Sequence, residues 1–241
     1  MIQGQVVCVT GSARRVGRAI ALAFAAAGAN VVIHHHASDE DALQTAADAK
    51  ALGVEALIVK GNLANPDEVA VMFEQIHATF GRLDVMVNSA ANYYRNHLLD
   101  ISYEEWQTVL GVNLTGPFLC TQHAARLMPD GGCIINIGDN GGLRPWKSRP
   151  HHSVSKAGLL MLTKVSAASL GERNIRVNCI IPGPVLIPDG EPDRAWDNLA
   201  QSLPLKRTGT PTDVAQACLF LATNDFITGA ILNVDGGEAI R

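Results

Sequence analysis

The sequence is short of aromatic residues and of charge. Phe, Trp and Tyr together make up 5% of the 241 residues, and Asp, Glu, Lys and Arg only 17%. With 47% hydrophobic residues beside that low charge, a disordered chain is excluded and a large core is expected. No Lys/Arg run is present and the net charge is −4, so neither nucleic acid nor an anionic membrane surface is an expected partner. Cysteine is sparse: five residues, odd in number and without metal-type spacing. Cys8, Cys133 and Cys179 fall in strand-like apolar runs, where a small core residue suits a reducing compartment. The N-terminal run VVCVT is too short for a signal peptide and lacks a cleavage site. No apolar stretch approaches the roughly 20 residues that span a bilayer. The expectation is a soluble, cytoplasmic protein.

What is present is an alternation of short β-branched runs with longer helix-period segments. QVVCVT, NVVIHH, EALIVKGNL, LDVMVNSA, GCIINIGD, IRVNCIIPG and AILNVDGG are the expected strands. Helices are expected at RAIALAFAAAG, DEDALQTAADAKALG and PDEVAVMFEQIHATFG, around 104–128 and 153–171, and at 211–223. Buried strands alternating with helices are the signature of an α/β, doubly wound parallel sheet. No linker or repeat divides residues 1–241, so a single domain is expected. The longest irregular piece, PGPVLIPDGEPDRA at 182–195, follows a strand and marks a candidate substrate lid around 184–200.

Ligands of such sheets bind beyond the carboxyl ends of the strands. After the first strand, TGSARRVG offers a glycine-containing turn at a helix start, which suits a pyrophosphate. Gly11 and Gly17 are present, and Arg15 replaces the usual middle glycine. Arg14 and Arg15 add charge-assisted donors for phosphate. After the second strand, HHHAS provides His34, His35, His36 and Ser38, with no carboxylate before Asp39. That set favours a 2′-phosphate, hence NADP(H), over a bare ribose hydroxyl. No metal is expected, because neighbouring strand residues point to opposite faces.

TGSARRVG, NSAA at 88–91, VNLTGPF at 112–118, the 152–156 spacing, RVNCIIPGPV at 176–185, PLKRTGTPTDVA at 204–215 and VDGG at 234–237 span nearly the whole chain. In order and spacing they resemble the short-chain dehydrogenase/reductase superfamily, a Rossmann fold. The dibasic turn and the HHHAS strand end are most similar to pteridine reductases, which use NADPH. The resemblance implies that Gly11, Ser12, Arg14, Arg15, Val16, Gly17, His36 and Ser38 hold the cofactor's phosphates. It places Asn62, Leu63, Asn88, Ser89 and Ala90 near the adenosine. Pro182, Gly183 and Val185 would flank the nicotinamide, and Lys156 would bind its ribose. Asn113 would serve a proton relay, and Tyr93 would stack on the substrate. Family helices matching 104–128 and 153–171 pair between subunits, which implies a homotetramer, or failing that a dimer.

Two positions depart from the family's commonest pattern: Asp139 stands where a serine is usual, and His152 where the catalytic tyrosine is usual. The first change is shared with pteridine reductases and the second is not. An imidazole is a competent acid near neutrality without a cation to acidify it, and a neighbouring carboxylate would favour its charged form. The expectation is an Asp–His couple in place of Ser–Tyr, aided by Lys156. The rival expectation is a catalytically weak NADP(H)-binding sensor or scaffold, since imidazole is shorter than phenol.

Overall fold

A computed structural model of the chain describes residues 2–129, 131–187 and 193–241, without the side chains of 193–195. Seven strands form one sheet: β1 (Val6–Val9), β2 (Asn30–His35), β3 (Ala56–Lys60), β4 (Val85–Asn88), β5 (Gly132–Ile137), β6 (Ile175–Pro182) and β7 (Ile231–Val234). All pairs are parallel, in the order β3-β2-β1-β4-β5-β6-β7. The expected strands are all present; β1, β2, β4, β5 and β6 are apolar runs buried on both faces, while the edge strands β3 and β7 are only partly covered.

Alternate strand residues feed two cores. Val7, Val9, Val31 and Ile33 face α1 (Arg15–Ala26), α2 (Asp39–Ala51) and α8 (Pro211–Thr223). Val6, Cys8, Val32 and Met86 face α3 (Pro66–Phe80), α5 (Gly116–Arg126) and α6 (Pro150–Leu170). In α3 the buried residues Val69, Met72, Phe73 and Ile76 recur at helical spacing, so one stripe meets the sheet. Asn65 caps that helix by accepting from the Asp67 N–H at 3.0 Å, and Gly81 ends it at φ 69°. Truncating a residue such as the fully buried Phe24 would cost about 3–5 kcal/mol. All five cysteines are free and buried.

Three local features differ from the sequence pattern. The 104–128 region is α4 (Tyr103–Leu110), a π-helical turn at Gly111–Thr115, and then α5. A Cβ on Gly111 would lie 2.8 Å from Ala64, and one on Gly116 2.9 Å from Leu63, so both glycines allow the loop after β3 to pack close. α6 begins at Pro150 rather than 153, with proline at a first-turn position where its missing N–H costs nothing. His151 and His152 are therefore helical. The irregular 182–195 stretch runs into α7 (Asp193–Ser202), and 188–192 of the expected lid lie outside the described residues. Among the described residues no helix is long and apolar enough to cross a membrane.

Near the carboxyl ends of β3, β2 and β1 one histidine ties three strands together. His34 Nδ1 accepts the Gly11 N–H at 3.0 Å, and its Nε2–H donates to the Gly61 carbonyl at 3.0 Å. Both ring nitrogens are thus committed, and burial, the first cause, lowers the pKa from 6.5 to about 4. Between those values the unfolded chain binds a proton that the folded chain refuses. Stability therefore falls as pH drops through that window, by up to about 3 kcal/mol. Urea unfolding at about pH 7 and about pH 5 should show this loss in the wild type and a flatter response in His34→Gln.

Candidate active site

The carboxyl ends of β1 to β6 line one continuous cleft, seen as two cavities of about 610 and 860 Å³ that share Arg14, Arg15, Val16, Ser89 and Ala91. At the first end the turn after β1 packs tightly. A Cβ on Gly17 would sit 2.3 Å from the Gly11 carbonyl oxygen, and one on Gly11 3.0 Å from Ala90. Arg15 adopts φ 56°, the conformation a glycine takes freely and an L-residue takes at a cost of about 1–2 kcal/mol. Its guanidinium donates to the Ile187 carbonyl at 3.3 Å, among other contacts.

Arg14, His36 and Ser38 line the same cavity, as do Asn62, Leu63 and Ala90. The nearest acid, Asp39, is taken by Lys60 at 2.8 and 3.1 Å. Two guanidiniums, an imidazole and a hydroxyl on one cavity wall fit a phosphate-bearing nucleotide. Two expected ligands lie elsewhere. Ser12 is fully buried, donating to the Val9 carbonyl and accepting from the His34 N–H, and Asn88 donates to Asn136 Oδ1 across the sheet. Both side chains are buried in the floor, Ser12 held by β1 and β2 and the Asn88 amide nitrogen by β5.

The second cavity holds Asp139, His152, Lys156, Pro182, Gly183, Val185 and Tyr93. Helical spacing places His152 and Lys156 on one face of α6. Neighbouring His151 turns away to Glu105 Oε1 at 2.9 Å. The turn carrying Asp139 lies directly on α6, since a Cβ on Gly142 would come within 2.9 Å of the Lys156 backbone. Asp139 Oδ1 accepts the Gly141 N–H at 2.6 Å, and Oδ2 lies 3.5 Å from His152 Nε2. That nitrogen is buried without a hydrogen-bond partner.

The other nitrogen of His152 is fixed by Asn113, which the π-helical turn points inward. Its Oδ1 accepts the Asn92 N–H at 2.7 Å, and its two amide hydrogens go to the Asn92 carbonyl at 3.0 Å and to Ser155 Oγ at 3.2 Å. The contact of Asn113 Nδ2 with His152 Nδ1 is longer, 3.4 Å, and has no hydrogen left to use. His152 Nδ1 therefore donates to the Asn92 carbonyl at 3.2 Å. Asn113 is wholly buried and off the cleft, a positioning residue rather than a contact.

Lys156 Nζ donates to the Ile137 carbonyl at 2.8 Å. Burial holds its pKa below the ordinary lysine value, opposed by Asp139 and Cys179. Sequence reasoning missed four neighbours. Trp146 stacks on His152 at 5.8 Å and 7°, Arg149 covers the Tyr93 ring at 3.9 Å, Asn92 supplies the carbonyl, and Glu238 reaches Asn140 at 2.5 Å. All four come from loops or from the chain's far end, where only the turn chemistry of GDNGG hinted at close packing.

Residues 11–238 match the family model described as enoyl-(acyl carrier protein) reductase. The chain is 39% identical over 241 residues to a 3-oxoacyl-[acyl-carrier-protein] reductase of Synechocystis, covering 98% of this chain and 97% of that protein. The Staphylococcus aureus protein of the same name is 36% identical over 235 residues, covering 95% and 96%. Among solved structures, a short-chain dehydrogenase/reductase from Serratia marcescens superposes with TM-score 0.93 at 34% identity, covering 99% of each chain. This chain belongs to the short-chain dehydrogenase/reductase family. A metagenomic blue fluorescent protein in complex with NADPH is equally similar, with TM-score 0.92, 33% identity and 99% coverage of both chains. The protein is thus an oxidoreductase enzyme that binds a nicotinamide cofactor.

Asn113→Ala would strand both backbone groups of Asn92. The variant should lose about 2–4 kcal/mol of unfolding free energy in chemical denaturation, more than a surface truncation gives.

Proposed function

We propose that this short-chain dehydrogenase/reductase is an NADPH-dependent carbonyl reductase whose proton is stored by an Asp139–His152 couple. The observation that carries the proposal is the unpaired, buried Nε2 of His152, held 3.5 Å from Asp139 Oδ2 while Nδ1 is tied to the Asn92 carbonyl. NADPH, when bound, supplies the hydride. Arg14, Arg15, His36 and Ser38 would hold its 2′-phosphate and pyrophosphate, Lys156 its ribose, and Pro182, Gly183 and Val185 its nicotinamide.

The remaining work falls to this chain. The Asp139 side chain is 23% exposed and lines the cleft, whereas His152 Nε2 is covered. The proton therefore passes from imidazolium Nε2 to the ionised Asp139 carboxylate, which hands it on to the substrate oxygen. The net change is one proton from His152 to the nascent alkoxide, with Asp139 unchanged. Closing 3.5 Å to hydrogen-bond length requires a shift of only about half an ångström.

The dibasic turn and Asp139 keep their likeness to pteridine reductases, yet Tyr93 favours a carbonyl over a flat pterin. One of its faces is occupied by the Arg149 guanidinium, and the ring stands at 85° to His152. Burial raises its hydroxyl pKa, against the opposing charge of Arg149, so Tyr93 is a poor stand-in acid. The 184–200 segment serves as the substrate cover, supported by Leu186, Trp196 and Leu199 on the cleft wall. Val154, Met161 and Val165 form an exposed apolar stripe on α6 that suits a homotetramer or dimer.

NADPH oxidation with neutral ketones and diketones tests this reading. Wild type should prefer NADPH to NADH, and His152→Ala should lower kcat by about a hundred- to ten-thousand-fold with NADPH affinity preserved. Full activity in His152→Ala would remove the couple from the mechanism. NADPH binding without turnover of any carbonyl would instead favour a sensor or scaffold.

A further inference from the structure

Resting on the carbonyl-reductase reading, we infer that Arg149 forms a carboxylate subsite, so that the preferred substrates are small oxo acids rather than neutral ketones. Its backbone is pinned on both sides: the N–H donates to the Trp146 carbonyl at 3.0 Å and the carbonyl accepts the Ser153 N–H at 3.0 Å. The guanidinium carbon lies 3.9 Å above the centre of the Tyr93 ring, which supports one face of the fork. Tyr93 in turn stands 5.0 Å from the His152 ring, centre to centre. One aromatic ring thus separates a fixed guanidinium from the proposed proton store, and all three residues line the same cavity.

The charge of Arg149 has no carboxylate partner among the described residues. Its Nε is buried and makes no hydrogen bond. The carboxylates of that cavity are committed elsewhere: Asp139 to the Gly141 N–H and His152, and Glu238 to Asn140 and Arg241. A buried guanidinium donor without an acceptor is costly. With one face on Tyr93, the in-plane edge that includes Nε–H remains, and this edge matches a carboxylate bidentately. A neutral ketone leaves that cost in place, whereas an oxo acid relieves it. The substrate class is therefore a carbonyl compound whose carboxylate lies a few bonds from the reacting carbon.

Acetoacetate and levulinate, each paired with its methyl ester, test the subsite. Wild type should show kcat/KM at least about tenfold higher for each acid than for its ester. Arg149→Met should cut kcat/KM on the acids about ten- to hundredfold, mainly through KM, while changing the esters less than about threefold; Arg149→Lys should recover part of the loss. Titration calorimetry of levulinate into the NADP⁺-loaded protein reads the same contact without turnover. Equal losses on acids and esters, or no preference for the acids, would overturn the subsite and leave the reductase reading standing. Arg149-dependent levulinate binding without turnover of any acid or ester would sink the reductase reading and keep the subsite.

Discussion

The site depends on one buried carboxamide. Asn113 clamps both backbone groups of Asn92 and also bonds Ser155, so the loop after β4 and the first turns of α6 are held as one body. The Asn92 carbonyl fixed in this way is the acceptor for His152 Nδ1. Remove the carboxamide and the imidazole loses its orientation together with two satisfied backbone groups. Asn113 is buried within the π-helical turn at Gly111–Thr115, and Gly111 and Gly116 let that turn pack against the loop after β3.

From that constraint follow the assignments at the reacting end. With Nδ1 committed, Nε2 is the only ring nitrogen available to Asp139, and the short turn through Gly141 and Gly142 brings Asp139 onto α6. Trp146 and Tyr93 close around the ring and exclude water from Nε2. Exclusion of water strengthens the carboxylate–imidazole attraction, while the partial exposure of Asp139 keeps a path to the cleft. Lys156 sits buried beside the pair, its charge opposed by desolvation and supported by Asp139.

Much of this was legible in the residues. Strand runs buried on both faces announce themselves, so the sheet and the cleft at its carboxyl ends followed from pattern alone. Lys156, His152 and Asp139 stood out through the family resemblance, and the structure brings them to one cavity. What pattern could not give was orientation. Ser12, Asn88 and Asn113 look like cleft residues in sequence, yet their side chains turn inward, Ser12 and Asn88 to neighbouring strands and Asn113 to the Asn92 backbone and Ser155 of α6. His34 likewise looked available to a phosphate and is instead consumed by Gly11 and Gly61. Trp146, Arg149 and Glu238 carry no local signature, since loop packing and the chain's return through β7 decide their positions.

The central claim is that Asp139 and His152 share the transferred proton. Single-turnover reduction of a neutral diketone by NADPH-loaded Asp139→Asn isolates that step from substrate release. The account predicts a rate at least about a hundredfold below wild type with NADPH affinity unchanged, because an amide cannot relay the proton from Nε2. A rate within about threefold of wild type would contradict it.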